Sequence, residues 1–301
     1  MNLTGWIIYN GQLPGDKFRD FAQWLQRAAA KQAIQTHIYQ NNELLTYIST
    51  QQLHVIGETI LPDFVIFTDK DIYLAKQLEL LGVRVFNRAD TIAVSDDKIA
   101  TYQVLAQHQL PIPKTIIAPK VFFDSATIST EHVSAIIKQL GLPMIMKEAY
   151  GSFGEQVYLV HSEKEIYAKI KAIADRPFVF QEFIKTSYGK DIRLHVVGDS
   201  VVAAMTRHAT DDFRANVTAG GTMKAYQPTE QEESLAIAAA KAIDADFAGV
   251  DLLFGLDGTP IICEINSNAH IRNMYTSTNI NVADFIIHYI KKQYINKEDV
   301  T

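Results

Sequence analysis

The sequence predicts an α/β domain built on a parallel sheet, followed by a larger α+β region. The first ninety residues alternate apolar strand-like runs with amphipathic helical runs, a pattern typical of βα units whose sheet is covered on both faces. Beyond Pro111 and Pro113 the pattern changes to a long β-rich stretch between two helical segments. We therefore expect the main boundary near residues 91–95.

The elements of the first region follow from apolar spacing and from turn residues. Short apolar runs predict four strands, and i, i+3, i+4 spacing predicts two helices between them. Gly82 sits where a residue with positive φ often ends a helix, so it is expected to stop the second helix. The strands are expected at 6–9, 38–39, 63–67 and 83–86, and the helices at 16–32 and 71–81.

The second region reads as a mixture of helices and antiparallel strands. A short strand is expected at 115–118, a helix at 130–140 and a β-rich stretch at 143–202. A helix at 229–243 precedes a hairpin, and a last helix is expected at 282–294.

Composition restricts the class of protein. The 301 residues are 48% hydrophobic and 21% charged, as in an ordinary globular protein with a core of normal size. The formal net charge is −6 and the cations are scattered, so nucleic acid is not an expected partner. No apolar run approaches the roughly 18 residues of a membrane-spanning helix, and the start lacks a signal-peptide pattern. We expect a cytoplasmic protein that does not bind membranes.

The single cysteine, Cys263, excludes an intrachain disulfide and fits a reducing compartment. It lies in an apolar run, so a buried strand thiol is favoured over a nucleophile. The turn after the first strand, residues 10–15, lacks the Gly-x-Gly-x-x-Gly pattern of dinucleotide binding. A nicotinamide oxidoreductase is therefore disfavoured.

The segment 248–266 carries the clearest chemical signal. Asp257-Gly258 between two apolar runs predicts a hairpin with a two-residue loop, which would place Asp251 directly opposite Glu264. Opposed carboxylates are destabilising unless a cation lies between them, and Asn266 would share their face. An all-oxygen set suits Mg²⁺ that holds phosphates. The alternative is another register with solvated rim residues.

Two further segments could bind a nucleotide. Lys147 ends an apolar strand before a turn containing Gly151 and Gly154, where backbone N–H groups can approach phosphate oxygens. An ordinary loop is the alternative. A second apolar strand, 178–184, runs into Glu182 and could place backbone groups beside a base edge. By itself it could also be a buried strand with an edge glutamate.

Three arginines follow on one predicted hairpin and its extension. Asp191 and Arg193 share a strand face, the strand turns at 198–199, Arg207 closes the partner strand, and Arg214 follows. Arginines grouped in this way match a polyanion during phosphoryl transfer. They could equally be surface residues that pair with neighbouring carboxylates such as Asp212.

Taken in order, these segments resemble the ATP-grasp superfamily, and within it the RimK-type glutamate ligases. The resemblance covers about residues 74–289 and rests on several motifs whose order and spacing agree. These are Asp97-Lys98, 110–115, Ile145-Met-Lys147 with the 151–154 loop, Gln181-Glu182-Phe183-Ile184, Asp191-Ile-Arg193, Phe213-Arg214-Ala-Asn216 with Gly220-Gly221, 248–251, and Glu264-Ile-Asn266-Ser267.

The resemblance implies a fold and a domain plan. A pre-ATP-grasp α/β domain with a parallel sheet would span 1–94. An ATP-grasp fold of two subdomains with antiparallel sheets would span 95–186 and 187–301. It also implies an ATP-dependent carbon–nitrogen ligase that releases ADP and joins a small-molecule or peptide carboxylate to an amino acid through an acyl phosphate. Self-association into a dimer or tetramer is expected by the same analogy.

The resemblance also implies roles for the matching residues. Lys98 and Lys147 would contact ATP phosphates under the loop of Gly151, Ser152 and Gly154. Residues 181–184 (Gln181, Glu182, Phe183, Ile184) would meet adenine, and Asp191 with Arg193 would bind the rest of the nucleotide. Arg207, Arg214 and Asn216 would serve the phosphates and, with Lys147, the reacting groups. Asp251, Glu264 and Asn266 would hold Mg²⁺ or Mn²⁺.

One departure concerns the residues after Asn266. Family members often continue with Asn-Ser/Ala-Ser-Pro-Gly, whereas this chain reads Asn266-Ser267-Asn268-Ala269-His270-Ile271-Arg272. Asn268, His270 and Arg272 are therefore candidates for the acceptor site, although a histidine without a role fits as well. A different ATP-grasp amino-acid or dipeptide ligase and a non-catalytic ATP-binding module remain the alternatives.

Overall fold

The computed structural model describes residues 3–120, 128–151, 154–173, 175–215 and 221–298. The first region folds as predicted into a sheet in which all strand pairs are parallel, in the order β2-β1-β5-β6. Its elements are β1 (Thr4–Tyr9), α1 (Lys17–Lys31), β2 (Gln35–Gln40), β3 (Thr46–Ile48), β4 (Leu53–Val55), β5 (Phe64–Phe67), α2 (Ile72–Leu80) and β6 (Arg84–Phe86).

The hairpin β3–β4 is an element that the sequence analysis did not predict. It forms a separate antiparallel sheet of two strands beside α2. The predicted ends of α1 and α2 agree with the structure. Asp16 and Gln32 cap α1, and the Asp71 side chain accepts the backbone N–H of Leu74 at the start of α2. Gly82 has φ of +87°, as its predicted C′ position requires.

The second region contains two antiparallel sheets, in the orders β7-β10-β8-β9 and β13-β12-β11-β14-β15. The predicted β-rich stretch 143–202 is wrong in part, because a helix, α6, interrupts it. The elements are α3 (Ala89–Asp96), α4 (Lys98–Gln107), β7 (Thr115–Ile117), α5 (Thr130–Leu140), β8 (Met144–Glu148), β9 (Val157–Val160), α6 (Glu163–Ile173), β10 (Phe178–Glu182), β11 (Lys190–Val197), β12 (Ser200–His208), β13 (Thr222–Ala225), α7 (Glu230–Ala242), β14 (Phe247–Phe254), β15 (Pro260–Asn266), α8 (Arg272–Thr278) and α9 (Val282–Glu298).

Packing joins the chain's two ends. One core cluster combines Phe21 and Leu25 of α1 with Ile286 and Ile290 of α9, all buried. Polar contacts follow the same seam: Lys291 Nζ donates to Gln32 O at 3.0 Å. The boundary that we expected at 91–95 falls inside α3, which lies against both regions. The first domain is therefore packed onto the last helix of the second region.

The described part of the chain contains no helix that combines the length and the apolarity needed to cross a membrane.

Candidate active site

The five-stranded sheet carries a row of charged side chains across three adjacent strands. Arg193 of β11 pairs in register with Asp251 of β14, and Asp251 pairs with Glu264 of β15. Directly opposed residues of antiparallel strands point to the same face, so these three side chains lie side by side. The predicted pairing of Asp251 with Glu264 is confirmed.

The loop that joins β14 to β15 differs from the predicted one. Phe254 pairs with Pro260, and Gly255 N donates to Thr259 O at 2.8 Å, so the loop holds five residues rather than two. A register shift between Asp251 and Leu252, which leaves Cys263 without a strand partner, then restores the predicted opposition. The bulge explains why the core positions of β15, Ile262 and Ile265, are three residues apart.

Two arginines and two aspartates form a buried network on this face. The Arg193 guanidinium donates to both oxygens of Asp251 at 2.6 Å. Arg207 donates to both oxygens of Asp191, at 2.7 and 2.5 Å, and to Asp251 Oδ2 at 2.8 Å. Burial alone would raise the pKa of Asp251, but the two arginines lower it to about 2. Asp251 is therefore an anion at neutral pH, and Arg207 is a buried residue rather than a surface one.

Lys147 lies where the two antiparallel sheets meet. It is buried on β8, and its ammonium group donates to the Tyr102 hydroxyl of α4 at 3.0 Å. Tyr102 donates in turn to the carbonyl of the bulged Cys263 at 2.7 Å. Burial lowers the pKa of Lys147, but Cys263, Tyr102 and Glu264 together raise it by more. A fixed cation thus stands at the cleft.

The surroundings of the Cys263 thiol do not activate it as a nucleophile. Burial raises its pKa to about 11, so it is protonated at neutral pH. Its Sγ lies 3.9 Å from Lys147 Nζ. The expectation of a buried strand thiol agrees with this geometry.

Lys98 lies between the glycine loop, which we define as residues 151–154, and the carboxylate row formed by Asp251 and Glu264. Its Nζ donates to Gly151 O at 3.0 Å and lies 3.6 Å from Glu264 Oε1. Gly151 has φ of +147°, and a Cβ there would lie 2.3 Å from Gln156 Oε1. A side chain at this position would displace Gln156 and strain the backbone, so the turn that presents the Gly151 carbonyl to Lys98 favours glycine.

Arg214 contacts the glycine loop at Gly154, the end opposite to the one that Lys98 contacts. Its guanidinium donates to Gly154 O at 2.6 Å and to both oxygens of Asp212, at 3.0 and 2.7 Å. The expected alternative, a pairing with Asp212, is therefore present together with a contact to the loop. Arg214 remains about one-third exposed and faces the cleft.

The three candidate acceptor residues after Asn266 do not lie together: Asn268 and His270 line the cleft, and Arg272 does not. Asn268 Nδ2 donates to Asp69 O at 2.7 Å, and the His270 ring packs against Phe18 at 5.2 Å between centroids. Burial lowers the pKa of His270 to about 4, so it is neutral at pH 7. Arg272 begins α8 and pairs with Asp20 of α1 outside the cleft, with its Nε 2.7 Å from Asp20 Oδ2.

These groups surround one cleft of about 620 Å³, which is the size of a small-molecule site. Seventeen of the predicted residues line it: Lys98, Lys147, Gly151, Gly154, Gln181, Glu182, Phe183, Ile184, Asp191, Arg193, Arg207, Arg214, Asp251, Glu264, Asn266, Asn268 and His270. Arg272 is not among the lining residues. Ser152 and Asn216 lie outside the described residues.

One wall of the cleft comes from the N-terminal domain and was not predicted from the sequence. Leu13, Lys17 and Phe18 follow β1, and Thr68 with Asp69 follows β5; all five line the cleft. The carboxyl ends of neighbouring parallel strands meet at one edge of a sheet, where ligands commonly bind. Because β1 and β5 were predicted, this rule could have found the wall from the sequence.

His195 was also missed. It shares the cleft-side face of β11 with Asp191 and Arg193, which the period of two along that strand could have indicated. The side chain is buried, and in the part of the chain that the structure describes its Nε2 has no hydrogen-bond partner. Burial lowers its pKa to about 3, and Arg193 adds to the shift.

The carboxylate row fits a hard divalent cation. Asp251 and Glu264 supply carboxylate oxygens, and Asn266 supplies a side-chain amide whose buried Nδ2 has no partner among the described residues. No three His, Cys, Asp or Glu side chains group as a metal site within those residues, so a closed transition-metal site is not seen there. Few protein ligands and only oxygen suit Mg²⁺ with phosphates completing its shell.

Comparison with known proteins agrees with this geometry. A family model described as a RimK-like ATP-grasp domain matches residues 95–290. The chain is 32% identical over 260 residues to human N-acetylaspartylglutamate synthase A; the match covers 82% of this chain and 64% of that protein. It is 34% identical over 223 residues to "Probable alpha-L-glutamate ligase" of Trichodesmium erythraeum, covering 73% of this chain and 71% of that one.

Solved structures extend the likeness to the whole fold. The RimK domain protein ATP-grasp from Sphaerobacter thermophilus superposes with a TM-score of 0.71 at 20% identity. The superposition covers 94% of this chain and 98% of that chain. The predicted α/β domain and the two antiparallel sheets are therefore confirmed as an ATP-grasp architecture.

Proposed function

The chain belongs to the RimK-like ATP-grasp family, and we propose that it joins glutamate, as the amine, to a small carboxylate acceptor. It is an ATP-dependent carboxylate–amine ligase that uses ATP and Mg²⁺. The choice of glutamate rests on relatives with the names N-acetylaspartylglutamate synthase A and "Probable alpha-L-glutamate ligase".

The observation that carries the proposal is the composition of this cleft. Eight lysine and arginine side chains line it together with seven carboxylates, and Lys98, Lys147, Arg193 and Arg207 lie together at the carboxylate row, so the described groups favour an added polyanion. At the opposite end, the His270 ring packs against Phe18 of the N-terminal domain, and Lys17 and Asp69 line the same wall. A nucleotide end and a separate acceptor end are what a ligase with two substrates requires.

We assign the steps to the chain's own residues as follows. The acceptor carboxylate must approach the γ-phosphate, and Lys98, Lys147 and Arg207 reduce the repulsion between these two anions. Bound Mg²⁺ would neutralise phosphate charge further, held by Asp251, Glu264 and Asn266. Arg214 and the loop at Gly151 would close the nucleotide end and exclude water from the acyl phosphate.

The acceptor end decides between glutamate ligation and the neighbouring possibility, a dipeptide-forming ligase. Both reactions would use the same nucleotide-binding residues. They would differ only in the substrate that contacts Lys17, Asp69, Asn268 and His270. The dipeptide alternative rests on the departure from the family pattern after Asn266. A non-catalytic ATP-binding module is disfavoured because Glu264, Lys98 and Lys147 are all retained in contact geometry.

The test is ADP release from purified protein in the presence of Mg²⁺ and ATP. Glutamate would be combined with a panel of acylated amino acids, dicarboxylates and short peptides, and a second series would replace glutamate by other amino acids. We expect ADP only when glutamate and one class of acceptor are both present. ADP release with two non-acidic amino acids, and none with glutamate, would assign the dipeptide reaction instead.

The matched control is Glu264→Gln, which removes one carboxylate without disturbing the buried arginines. It should abolish ADP release and leave the melting temperature nearly unchanged. If wild-type protein binds Mg·ATP and gives no ADP with any pair, the assignment of a glutamate ligase fails. If Glu264→Gln turns over normally, the metal assignment fails.

We propose the cytoplasm as the compartment, since the reaction consumes ATP. The lone cysteine, which forms no disulfide, agrees with a reducing environment. Fractionation of cells that express the tagged chain would test this placement.

A further inference from the structure

The wall of the cleft that the N-terminal domain supplies contains a buried carboxylate without a cation beside it. Asp69, which follows β5, is 5% exposed and lines the cleft. The Asn10 side-chain amide donates to its two oxygens at 3.1 and 3.2 Å. Across the residues that the structure describes, no lysine or arginine forms an ion pair with Asp69, and the neighbouring Lys70 pairs with Asp96. A buried carboxylate in this state is costly unless a ligand brings the missing positive charge.

Asn268 places a second acceptor beside Asp69. Its Nδ2 donates to the Asp69 backbone carbonyl at 2.7 Å. A carbonyl oxygen only accepts, so this hydrogen bond fixes the amide with its nitrogen toward Asp69 and its Oδ1 on the other side. Oδ1 is buried, and no donor among the described residues reaches it. Asn268 also lines the cleft, so a bound ligand can supply that donor.

An ammonium group is the ligand chemistry that matches this pair. It carries three N–H donors and one positive charge, which are what Asp69 and Asn268 lack. A carboxylate or phosphate would be repelled by Asp69, and a neutral hydroxyl or amide would leave its charge unbalanced. Lys17 lines the same wall and its charge acts on His270, so a carboxylate on the same ligand would meet a cation nearby. The wall is therefore suited to a zwitterionic amino acid.

The pair lies next to the residues that would hold Mg²⁺. Asn268 is two residues beyond Asn266, so their Cα atoms are at most about 7 Å apart. Ser267 between them is held against α3, because its backbone N–H donates to Ser95 Oγ at 3.0 Å. A nitrogen held by Asp69 and Asn268 therefore lies close to the place where the acyl phosphate would form.

We propose that Asp69 and Asn268 hold the ammonium group of the incoming amino acid and that Asp69 accepts a proton from it. This inference rests on the proposed ligase reaction, and it names the proton acceptor for the second half of that reaction. Once Asp69 has taken one proton, the nitrogen lone pair forms a C–N bond with the acyl carbon. The bond from that carbon to the phosphate oxygen breaks, and phosphate leaves with a second proton from the nitrogen.

The surroundings of Asp69 suit a proton acceptor. Burial raises the pKa of its carboxyl group and the Asp71 charge adds to that rise, while hydrogen bonds from the backbone and from Asn10 oppose it. A raised pKa makes the carboxylate a stronger base toward an ammonium group in contact with it. The Asn10 hydrogen bonds also restrict the rotation of the carboxylate.

The first measurement is isothermal titration of protein saturated with Mg·ADP. The probes are glutamate and glutarate, which has the two carboxylates of glutamate but no ammonium group. We expect wild type to bind glutamate about 10- to 100-fold more tightly, the range for a hydrogen-bonded charge pair. Asp69→Asn should bind the two probes equally.

The matched control for this titration is Asp71→Asn. Asp71 caps α2 and does not line the cleft, and asparagine caps a helix as well as aspartate does. The control should keep the preference for glutamate.

The second measurement separates the amine step from activation of the acceptor. Hydroxylamine replaces glutamate in the ADP-release assay, with the panel acceptor that supports turnover, and traps the acyl phosphate as a hydroxamate. Hydroxylamine is uncharged near neutral pH, so it needs neither a counterion nor a proton acceptor. We expect Asp69→Asn to form hydroxamate as wild type does, while its kcat/KM for glutamate falls about 10- to 100-fold.

Circular dichroism melts establish that each variant is folded, and Asn268→Ala carries both measurements if Asp69→Asn does not fold. Equal binding of glutamate and glutarate by wild type overturns the subsite, and so does a folded Asp69→Asn that keeps the preference for glutamate. Loss of hydroxamate formation in Asp69→Asn would assign Asp69 to the acceptor instead and also overturns the proposal. If no panel acceptor gives ADP or hydroxamate with wild type, the ligase proposal fails, and the titration still decides whether the subsite binds an ammonium group.

Discussion

Asp251 and Glu264 stand opposite each other, yet their side chains have different surroundings. Asp251 is buried and accepts three hydrogen bonds from Arg193 and Arg207, whereas the Glu264 side chain is 34% exposed beside Lys98. The Asp251 carboxylate therefore neutralises the protein's own arginines, whereas the Glu264 carboxylate opposite it is available to a ligand. Mutations at the two positions should separate these roles.

We predict that Asp251→Asn destabilises the protein strongly and that Glu264→Gln does not. Loss of the Asp251 charge leaves Arg193 and Arg207 without full compensation in a buried site, at a cost of about 3–5 kcal/mol. Glu264→Gln should change the free energy of unfolding by less than about 1 kcal/mol. Urea unfolding of both variants checks this, and equal destabilisation by the two would contradict it.

A second prediction at this scale concerns His195. Its folded-state pKa is lowered to about 3, so between pH 3 and 6.5 the unfolded chain binds one more proton there. Stability is then complete above pH 6.5 and falls by about 1.4 kcal/mol per pH unit as the pH decreases. His270, with its pKa lowered to about 4, acts in the same direction over a narrower window.

His195→Leu should therefore reduce the slope of stability against pH by roughly half between pH 4 and 6.5. Chemical denaturation at several pH values measures that slope, and the exposed His132→Gln serves as the matched control. An unchanged slope in His195→Leu would show that protonation of this histidine does not limit the acid stability.

At the scale of elements, the sequence predicted periodic segments well and irregular ones poorly. Helix α5 and the caps of α7 were predicted to within a residue, because long apolar periodicity and cap residues act locally. Helix α6 was missed, since its segment lies between strands and its spacing was read as part of a β-rich run. Hairpin β3–β4 was missed because its strands hold only three residues each.

The β14–β15 hairpin shows why a site can be predicted correctly from an incorrect loop. The two-residue loop was wrong, but the bulge at Cys263 shifts the register by one residue and restores the opposition of Asp251 and Glu264. A bulge has no simple sequence signature, whereas turn residues such as Asp257-Gly258 do. The wider loop could therefore not be derived from the chain alone.

The glycine loop offers a test at the same scale. Gly151→Ala should weaken ATP affinity about tenfold, because strain at a positive φ costs on the order of 1–3 kcal/mol where Lys98 contacts the loop. Gly258→Ala is the matched control, since Gly258 also has positive φ but lies in the loop between β14 and β15. Isothermal titration with Mg·ATP compares them. Equal affinities in both variants would contradict the assigned role.

At the scale of the molecule, the separation into residues 1–94 and 95–301 remains our proposal for the domain plan, but the two parts share a core. Phe21 and Leu25 from α1 pack with Ile286 and Ile290 from α9. Tyr294 OH also donates to Asp63 O at 2.7 Å, which connects α9 to the residue before β5 in the first domain. The first domain is therefore a structural support for α9 as well as a wall of the cleft.

We predict that the fragment 95–301 does not unfold cooperatively in isolation. Its α9 would expose the apolar face that α1 covers in the whole chain, and exposed faces of that kind favour aggregation. Thermal unfolding followed by circular dichroism compares the fragment with the full chain. A sigmoidal transition within a few degrees of the full-length protein would show that the shared core is dispensable.

The packing of α1 on α9 also affects how the protein is made. About 250 residues separate the two helices in the sequence, and synthesis proceeds at roughly 5–20 residues per second. The apolar side of α1 therefore emerges from the ribosome tens of seconds before its covering helix exists. During that interval the nascent chain presents a hydrophobic surface, and a chaperone that binds amphipathic helices would have its main opportunity there.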